Sequence, residues 1–404
     1  MSKVVVIGGG ASGLFASYAS AMRGNETILI EKNDKLGKKI YITGKGRCNL
    51  TASVSNQEFF NNVVSNPKFL FSAINSFSSY DTIDFFTNNG LELKTERGNR
   101  VFPASDKASD VTKTLEKCLL NLGVDIRLNT QVLDVITEGG AVKGVTTGNG
   151  EVLCDSIIVC TGGISYPTTG STGDGYKFAK KFGHSIVDLR PALVGIELCG
   201  SDFLEMQGLS LKNVKISAFT DGKQVFDYFG EMLFTHFGIS GPIVLSCSSK
   251  INRLSNVEIS IDLKPALDFV TLENRLIREF KENSNKTLFY ALRSLLPKTL
   301  IECVIRQARL SPQTNCSQVT VEMRRQLINV LKGLKFTVKK LRVINEAIVT
   351  SGGVSVKEIN PKTMESKLVK NLYFAGEVLD VDAFTGGYNL QIAFSTGFVA
   401  GNNC

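Results

Sequence analysis

The residues that announce chemistry stand at the start of the chain. Gly8-Gly9-Gly10-Ala11-Ser12-Gly13 gives the spacing G-x-G-x-x-G. Its chemistry is the holding of a pyrophosphate. Gly8 allows a tight turn, Gly10 lets the backbone come close to a phosphate, and Gly13 lets a helix pack on a strand. Amide groups of Ala11, Ser12 and Gly13 at the start of the following helix face the anion, helped by the helix dipole. Such glycines carry weight only in context. Here the apolar run Val4–Ile7 precedes them, reading as a buried parallel strand, and Leu14–Ala19 follows as a helix. A second strand, Thr27–Ile30, ends in Glu31, which is placed to accept hydrogen bonds from ribose hydroxyls, with Lys32 beside it. These elements predict a dinucleotide site and leave FAD and NAD both open.

The far end of the chain decides between them. Asn371–Phe374 reads as a strand that ends in Ala375-Gly376-Glu377, and Asp382 and a glycine-rich turn through Gly387 and Asn389 open a helix from about Leu390 to Ala400. A strand-end acid near a ribityl chain and a helix N-terminus beside a flavin pyrimidine are what a two-part FAD site requires. A dehydrogenase that holds only NAD has no need of them. A third strand, Asp155–Cys160, runs into Thr161-Gly162-Gly163, where the backbone can approach a cofactor. The expectation is an FAD-dependent oxidoreductase.

A flavin moves hydride, and the protein supplies position and a proton donor. Cys48, in the loop Gly44–Asn49, carries a thiol able to protonate carbon; the alternative is a small cysteine packed under the cofactor. His236, in Thr235-His236-Phe237-Gly238, either faces a substrate or is held by structural hydrogen bonds. Tyr388 and Tyr166 lie in loops expected beside the flavin and either donate, stack or pack. Lys39, Gly46 and Arg47 offer contacts to phosphates or to a substrate anion. His184, after Gly183, reads as a surface or helix-cap residue. No Ser/His/Asp set or metal-ligand spacing is present, so a hydrolase or metalloenzyme is not expected.

Charge points to the partner. The net charge is +8, yet between Arg275 and Arg342 fifteen Lys or Arg face four Glu, an excess of eleven that leaves the rest of the chain near −3. Such segregation is the footprint of a polyanion-binding surface. Arg275, Arg278, Arg306, Arg309, Arg324, Arg325, Lys335, Lys339 and Lys340 are its candidate contacts, and Phe289, Tyr290 and Phe336 either stack on nucleobases or fill a helical core. The nine cysteines form no CxxC pair, and no apolar run reaches 18 residues. With no leader-like start, the expectation is a cytoplasmic protein without a membrane span.

Several longer motifs resemble one family. They are Leu36–Thr51 (LGKKIYITGKGRCNLT), Gly162–Tyr176 (GGISYPTTGSTGDGY), Thr235–Pro242 (THFGISGP), Thr350–Val354 (TSGGV) and Gly376–Gln391. Together they are similar to the BaiN/YhiN-type flavoproteins, the aminoacetone-oxidase-like family. Ala383 and Ala52 depart from its pattern at positions expected to hold glycine and asparagine. The resemblance implies an α/β fold: a discontinuous Rossmann-like FAD domain at 1–190 and 345–404, a β-barrel-like insertion at 191–268 that returns at 333–344, and a basic helical subdomain at 269–332. Short alternating runs such as Val214–Phe219, and apolar spacing at Leu272, Leu276, Ile277 and Phe280, agree with this division.

The resemblance also implies FAD with NAD(P)H as a transient reductant, there being no second G-x-G-x-x-G in strand–helix context. It implies reduction of a conjugated C=C. The preferred substrate is uridine in ribosomal RNA, giving dihydrouridine. The alternative is a small-molecule flavoenzyme acting on a 3-oxo-Δ4 bile-acid or steroid enone, or oxidising aminoacetone. A non-catalytic flavin-binding module is the third class.

Overall fold

The computed structural model describes residues 2–404. The chain forms two compact units, Met1–Ala192 with Ile344–Cys404, and Leu193–Val343. The expected break at 190/191 falls inside the strand Ile186–Ala192. That strand pairs antiparallel with Val349–Val354, so it stays with the first unit to its last residue.

The first unit is built on a five-stranded parallel sheet in the order Leu372–Phe374, Ser156–Val159, Lys3–Ile7, Glu26–Ile30, Asp125–Arg127. Val4, Val5 and Val6 sit at its centre and are fully buried, as a strand covered on both faces requires. The sheet joins residues some 370 positions apart, so the first unit is complete only with the chain's end. The helix Ala11–Met22 packs on the sheet through Gly13, where a Cβ would collide with the carbonyl of Gly8.

The last helix, Tyr388–Asn403, lies along Ala11–Met22. Gly397 faces the backbone of Ser12 and Gly401 that of Ala16; a Cβ at either glycine would overlap the facing carbonyl oxygen. Register rises in the same sense on both helices, so they run parallel and nearly touch. Ala11 is thus level with about Thr396. The last helix begins eight residues earlier, so its N-terminus stands roughly 12 Å beyond that of the first, facing the same way. Phe15 is clasped by Phe77, Phe85 and Phe394 at 4.6–5.1 Å between ring centroids, which closes the contact with apolar mass.

The second unit holds a closed six-stranded barrel in the order Ile196–Leu198, Gly238–Ser240, Lys223–Thr235, Ser210–Thr220, Val257–Asp262, Leu334–Leu341. Its long hairpin turns at Asp221 and Gly222, both at positive φ, which gives the twist that a two-residue hairpin favours. Helices Phe269–Glu282, Leu288–Ala291, Lys298–Gln307 and Val321–Lys332 follow between the last two barrel strands. They bury Leu272, Leu276, Phe280, Leu288, Leu300, Ile301, Leu327 and Leu331 as their own core. Phe336 belongs to the barrel interior, 5.9 Å from Phe234.

Gly397→Val is expected to force the two parallel helices apart and cost at least about 1–3 kcal/mol. Urea denaturation followed by circular dichroism measures this, and an unchanged midpoint would show that the close approach carries no strain.

Candidate functional site

The G-x-G-x-x-G turn forms as the sequence predicts. Gly8 has φ of +103°, and its missing side chain leaves room for the carbonyl of Cys160. At Gly10 a Cβ would meet nothing within 4 Å, so the space before the helix is open, and no side chain caps the helix there. Glu31 ends its strand under this turn. Its Oε2 accepts from the Gly9 N–H at 2.7 Å, and its Oε1 accepts from the Asn33 N–H at 2.8 Å and Nδ2 at 2.6 Å. The acid therefore first braces the glycine turn. Lys32 bends to Asp174 at 2.7 Å and Thr172 at 2.5 Å, tying the second strand to the helix Asp174–Lys181.

The two motif ends meet at Ser12. A Cβ at Gly376 would press on the Ser12 hydroxyl. The Gly376 N–H donates to Thr396 Oγ1 at 2.9 Å, which fixes the strand end to the last helix. Next to it, Glu377 gathers four segments. Its Oε2 takes the Lys39 ammonium at 2.7 Å, and its Oε1 accepts from Thr350 N–H and Ser165 Oγ, each at 2.8 Å. Lys39 also donates to Ser165 Oγ at 2.6 Å. Burial works against ionisation of Glu377, but Lys39 and the two other donors outweigh it and hold the carboxyl below the ordinary range. Gly163 lies against this cluster, and Thr350 Oγ1 accepts from the N–H groups of Ile164 and Ser165. Sequence reasoning named Lys39 and Glu377 but missed Ser165 and Thr350, although both stand inside motifs quoted for other reasons.

The last helix starts at Gly387 with φ of +97° and no side-chain cap. Asn389 folds the preceding loop on itself, accepting from Ala383 N–H at 2.9 Å and donating to its carbonyl at 2.8 Å. Asp382 is fully buried, and Leu390 packs partly against the core. Gln391 was not singled out, yet it is buried and fully engaged, with Thr51, Thr82, Ser395 and the Phe77 carbonyl as partners. An amide set between Leu390 and Ile392 at the start of an apolar run is the signal that could have found it. Tyr388 is nearly buried and meets Phe59 edge-on at 5.3 Å.

The loop from Gly44 to Cys48 is strained. Lys45 and Cys48 both sit at φ of +59°, and Gly44 and Gly46 are also positive. Arg47 anchors it, forking between Glu96 and Asp106 with its guanidinium 4.2 Å over the Phe102 ring. That places Arg47 among carboxylates rather than toward a phosphate. Cys48 is wholly enclosed in the hydrophobic core, and burial pushes its thiol up to about 12.

Two other histidine expectations meet the structure. His236 is exposed, on the turn between the strands Lys223–Thr235 and Gly238–Ser240 of the second unit. His184 is not a surface or cap residue. Its side chain is fully buried, with Nδ1 3.1 Å from Glu358, Nε2 2.8 Å from Ser366, and Phe374 against its ring. Gly183 ends the helix and turns the next residue inward, which proximity to a helix end in sequence does not reveal.

The basic segment also changes in three dimensions. Arg306 pairs with Asp202 and Glu205, Lys335 with Glu258, Lys340 with Glu197, Lys332 with Asp262, and Arg275 with Glu279. Most of these acids lie on barrel residues outside the counted window. The second unit as a whole has twenty-one Lys or Arg against fourteen Asp or Glu, a net +7 of the chain's +8. Arg278, Arg309, Arg325 and Lys339 are exposed, and Arg324 is half-buried.

Two buried polar atoms in the flanking segments are also orphaned, and one of them, the Thr161 hydroxyl, lies against Gly175. Thr161 Oγ1 is buried beside Gly162 and Gly163 without a hydrogen-bond partner, as is Asn49 Oδ1 in the strained loop. These groups fit an FAD. Free amide dipoles await phosphate at the first helix. A second helix end, roughly 12 Å onward, awaits the electron-rich end of a flavin. Among the described residues no group of three or more His, Cys, Asp or Glu is arranged to hold a metal, and no helix is long and apolar enough to cross a membrane.

Comparison with known proteins agrees with this reading. The family described as HI0933-like protein Rossmann domain matches residues 2–403. A 3-dehydro-bile acid delta(4,6)-reductase from Clostridium scindens is 30% identical over 99% of this chain and 98% of its own. Ribosomal RNA dihydrouridine synthases from Escherichia coli and Haemophilus influenzae are 31% and 34% identical, each over 98% of this chain and 96% and 97% of theirs. Among solved structures, a 3-ketosteroid-delta4-(5alpha)-dehydrogenase from Rhodococcus jostii shares the fold, with a TM-score of 0.54 at 14% identity, covering 100% of this chain and 96% of that one.

Lys39→Met is expected to leave the mostly enclosed Glu377 without its cation and to cost about 1–3 kcal/mol, with loss of bound flavin. Adding Glu377→Gln should recover part of that cost; strictly additive denaturation midpoints would show the pair is not coupled. Burial lowers the His184 pKa below its ordinary 6.5, outweighing the opposing pull of Glu358. The unfolded chain then binds the extra proton first, so stability present above pH 6.5 is lost as pH falls below it. His184→Gln should flatten the stability profile below about pH 6.5. An identical slope in wild type and variant would remove His184 as its source.

Proposed function

The chain belongs to the HI0933-like family of FAD-dependent oxidoreductases, and from that premise we propose that it reduces a conjugated C=C, with uridine in ribosomal RNA as the substrate and dihydrouridine as the product. When bound, FAD supplies the hydride and is restored by a visiting NAD(P)H. The chain's own residues do the rest. The amides from Ala11 to Gly13 receive the pyrophosphate, and Glu31 steadies the turn that presents them. Thr161 and the Gly162–Gly163 backbone line the approach. The Lys39–Glu377 pair locks Ser165, Thr350 and the strand end at Gly376 into one frame. The positive end of the helix Tyr388–Asn403 favours negative charge placed before it.

Saturating a C=C needs a proton at the carbon next to the one that takes hydride. Cys48 keeps its proton but is closed off by protein on all sides, so we assign it to packing beneath the site. Within the first unit, Tyr388 at the start of the last helix and Tyr166 before Pro167 are the donors this leaves.

The observation that favours RNA is charge. The second unit carries +7, and among the described residues exposed bases such as Arg278, Arg309 and Arg325 have no acidic partner once its ion pairs are formed. A neutral steroid needs no such field, and a single carboxylate would use only one or two of these cations. Two of the full-length relatives bear the ribosomal RNA activity in their names, while a third is named for a bile-acid enone, which is the competing reading.

Mass-spectrometric mapping of ribosomal RNA from cells lacking the protein tests the choice. The expected result is loss of one dihydrouridine, restored by the wild-type chain. Unchanged dihydrouridine content, together with NAD(P)H-dependent turnover of a 3-oxo-Δ4 steroid, would transfer the assignment to the small-molecule reductase.

A further inference from the structure

Once the ion pairs of the second unit are drawn, four of its unpaired bases stand on one short stretch of the basic segment. Lys281, Lys286, Arg293 and Lys298 are all exposed, and among the described residues none of them pairs with a carboxylate. At their centre stands Tyr290. The four-residue helix Leu288–Ala291 is capped by Thr287 and turns Leu288, Ala291 and the following Leu292 into the core. Tyr290 is thereby forced outward and is 43% exposed. The Lys286 ammonium lies 3.9 Å from its ring centroid and the Arg293 guanidinium 5.8 Å away. Of the four aromatic residues that the basic segment contains, Phe280 and Phe336 are buried and Phe289 is partly buried. Tyr290 alone joins an exposed ring to flanking cations.

We propose that Lys286, Tyr290 and Arg293 form a docking surface for single-stranded RNA, in which one unstacked base lies on the Tyr290 ring and the adjoining phosphates are met by Lys286 and Arg293. The assignment rests on the ribosomal RNA reading above and names where on this chain that partner is gripped. The chemistry is specific. Lys286 and Arg293 flank one ring without a carboxylate partner, and a polyanion relieves the repulsion between them. An exposed ring beside those cations offers what a bare lysine patch lacks, a flat π-face that any base can cover while Lys286 sits close to the ring. Double-stranded RNA keeps its bases stacked inside and gains nothing from such a ring, so a loop or bulge is the form that fits. Arg306, Lys335 and Lys340 are committed to barrel acids and are not the primary contacts on this account.

The test uses the full-length flavoprotein and fluorescence anisotropy with three probes: a ribosomal RNA fragment, a 20-nucleotide poly(U) and heparin, which is anionic but has no bases. Tyr290→Ala is expected to weaken both RNAs about 5- to 150-fold, the worth of one base stacked on an aromatic ring, and to leave heparin unchanged. Tyr290→Phe should bind RNA as wild type does. Lys286→Gln with Arg293→Gln should weaken all three probes and flatten the log-affinity against log-salt slope for poly(U) by about 1.4, two phosphate contacts at about 0.7 each. Lys223→Gln, on the barrel hairpin turn, is the control and should change neither. Thermal melts confirm that the surface variants fold.

Wild-type RNA binding that survives Tyr290→Ala would overturn this surface and leave the RNA reading standing. Equal loss for heparin and RNA in Tyr290→Ala would overturn the stacking assignment, making the ring a mere prop for Lys286. Absence of RNA binding by the wild type, with steroid turnover, would overturn both.

Discussion

Two helices from opposite ends of the chain lie backbone to backbone, and the site depends on that contact. Side chains larger than hydrogen at Gly397 and Gly401 would separate the helix Tyr388–Asn403 from Ala11–Met22. Close approach sets their stagger, and the stagger sets the distance between two uncapped N-termini that face the same way. Each terminus offers unsatisfied amide groups and a partial positive charge. One terminus alone is a phosphate site; two at a fixed spacing along one line measure out a longer ligand with an anion at one end and an electron-accepting ring at the other. The Phe15 cluster and Gln391 serve the same end by pinning the last helix to residues 51, 77 and 82.

The polar side of the site obeys a similar economy of placement. Glu377 would be costly where it stands without partners, and three donors from three separate segments meet it. The same bonds that keep it ionised hold those segments in register. The strained turn at Lys45 and Cys48 is likewise held from outside, by the fork of Arg47 between Glu96 and Asp106. Strain of this kind persists only where surrounding contacts over-determine the backbone, and here a residue within the turn makes them.

What could be read from the sequence was what is local. The glycine fingerprint, the acid after the second strand and the helix that ends the chain each announce themselves within a few residues, because turn, close approach and helix start are short-range demands. Long-range pairing was hidden. The basic segment looked uncompensated because Asp202, Glu205, Glu258 and Glu197 reach its bases only after the barrel closes. Arg47 looked free for phosphate because Glu96 and Asp106 lie some fifty residues on. His184 looked like a cap because nothing near it in sequence shows Glu358 and Ser366 arriving from the other end. Ser165 and Thr350 were visible as members of motifs but mute about their partner until Glu377 was in place.

The sheet order has a further consequence during synthesis. Ser156–Val159 is covered on one side by Lys3–Ile7 and on the other by Leu372–Phe374, the last strand to be made. A ribosome adding about 5–20 residues per second needs roughly 10–40 s to travel from one to the other. Throughout that interval the nascent sheet presents a bare and mostly apolar edge, ready to pair with any extended chain that passes. The barrel and its helices are translated in that gap, so the cell must shelter a half-built sheet while an entire second unit emerges.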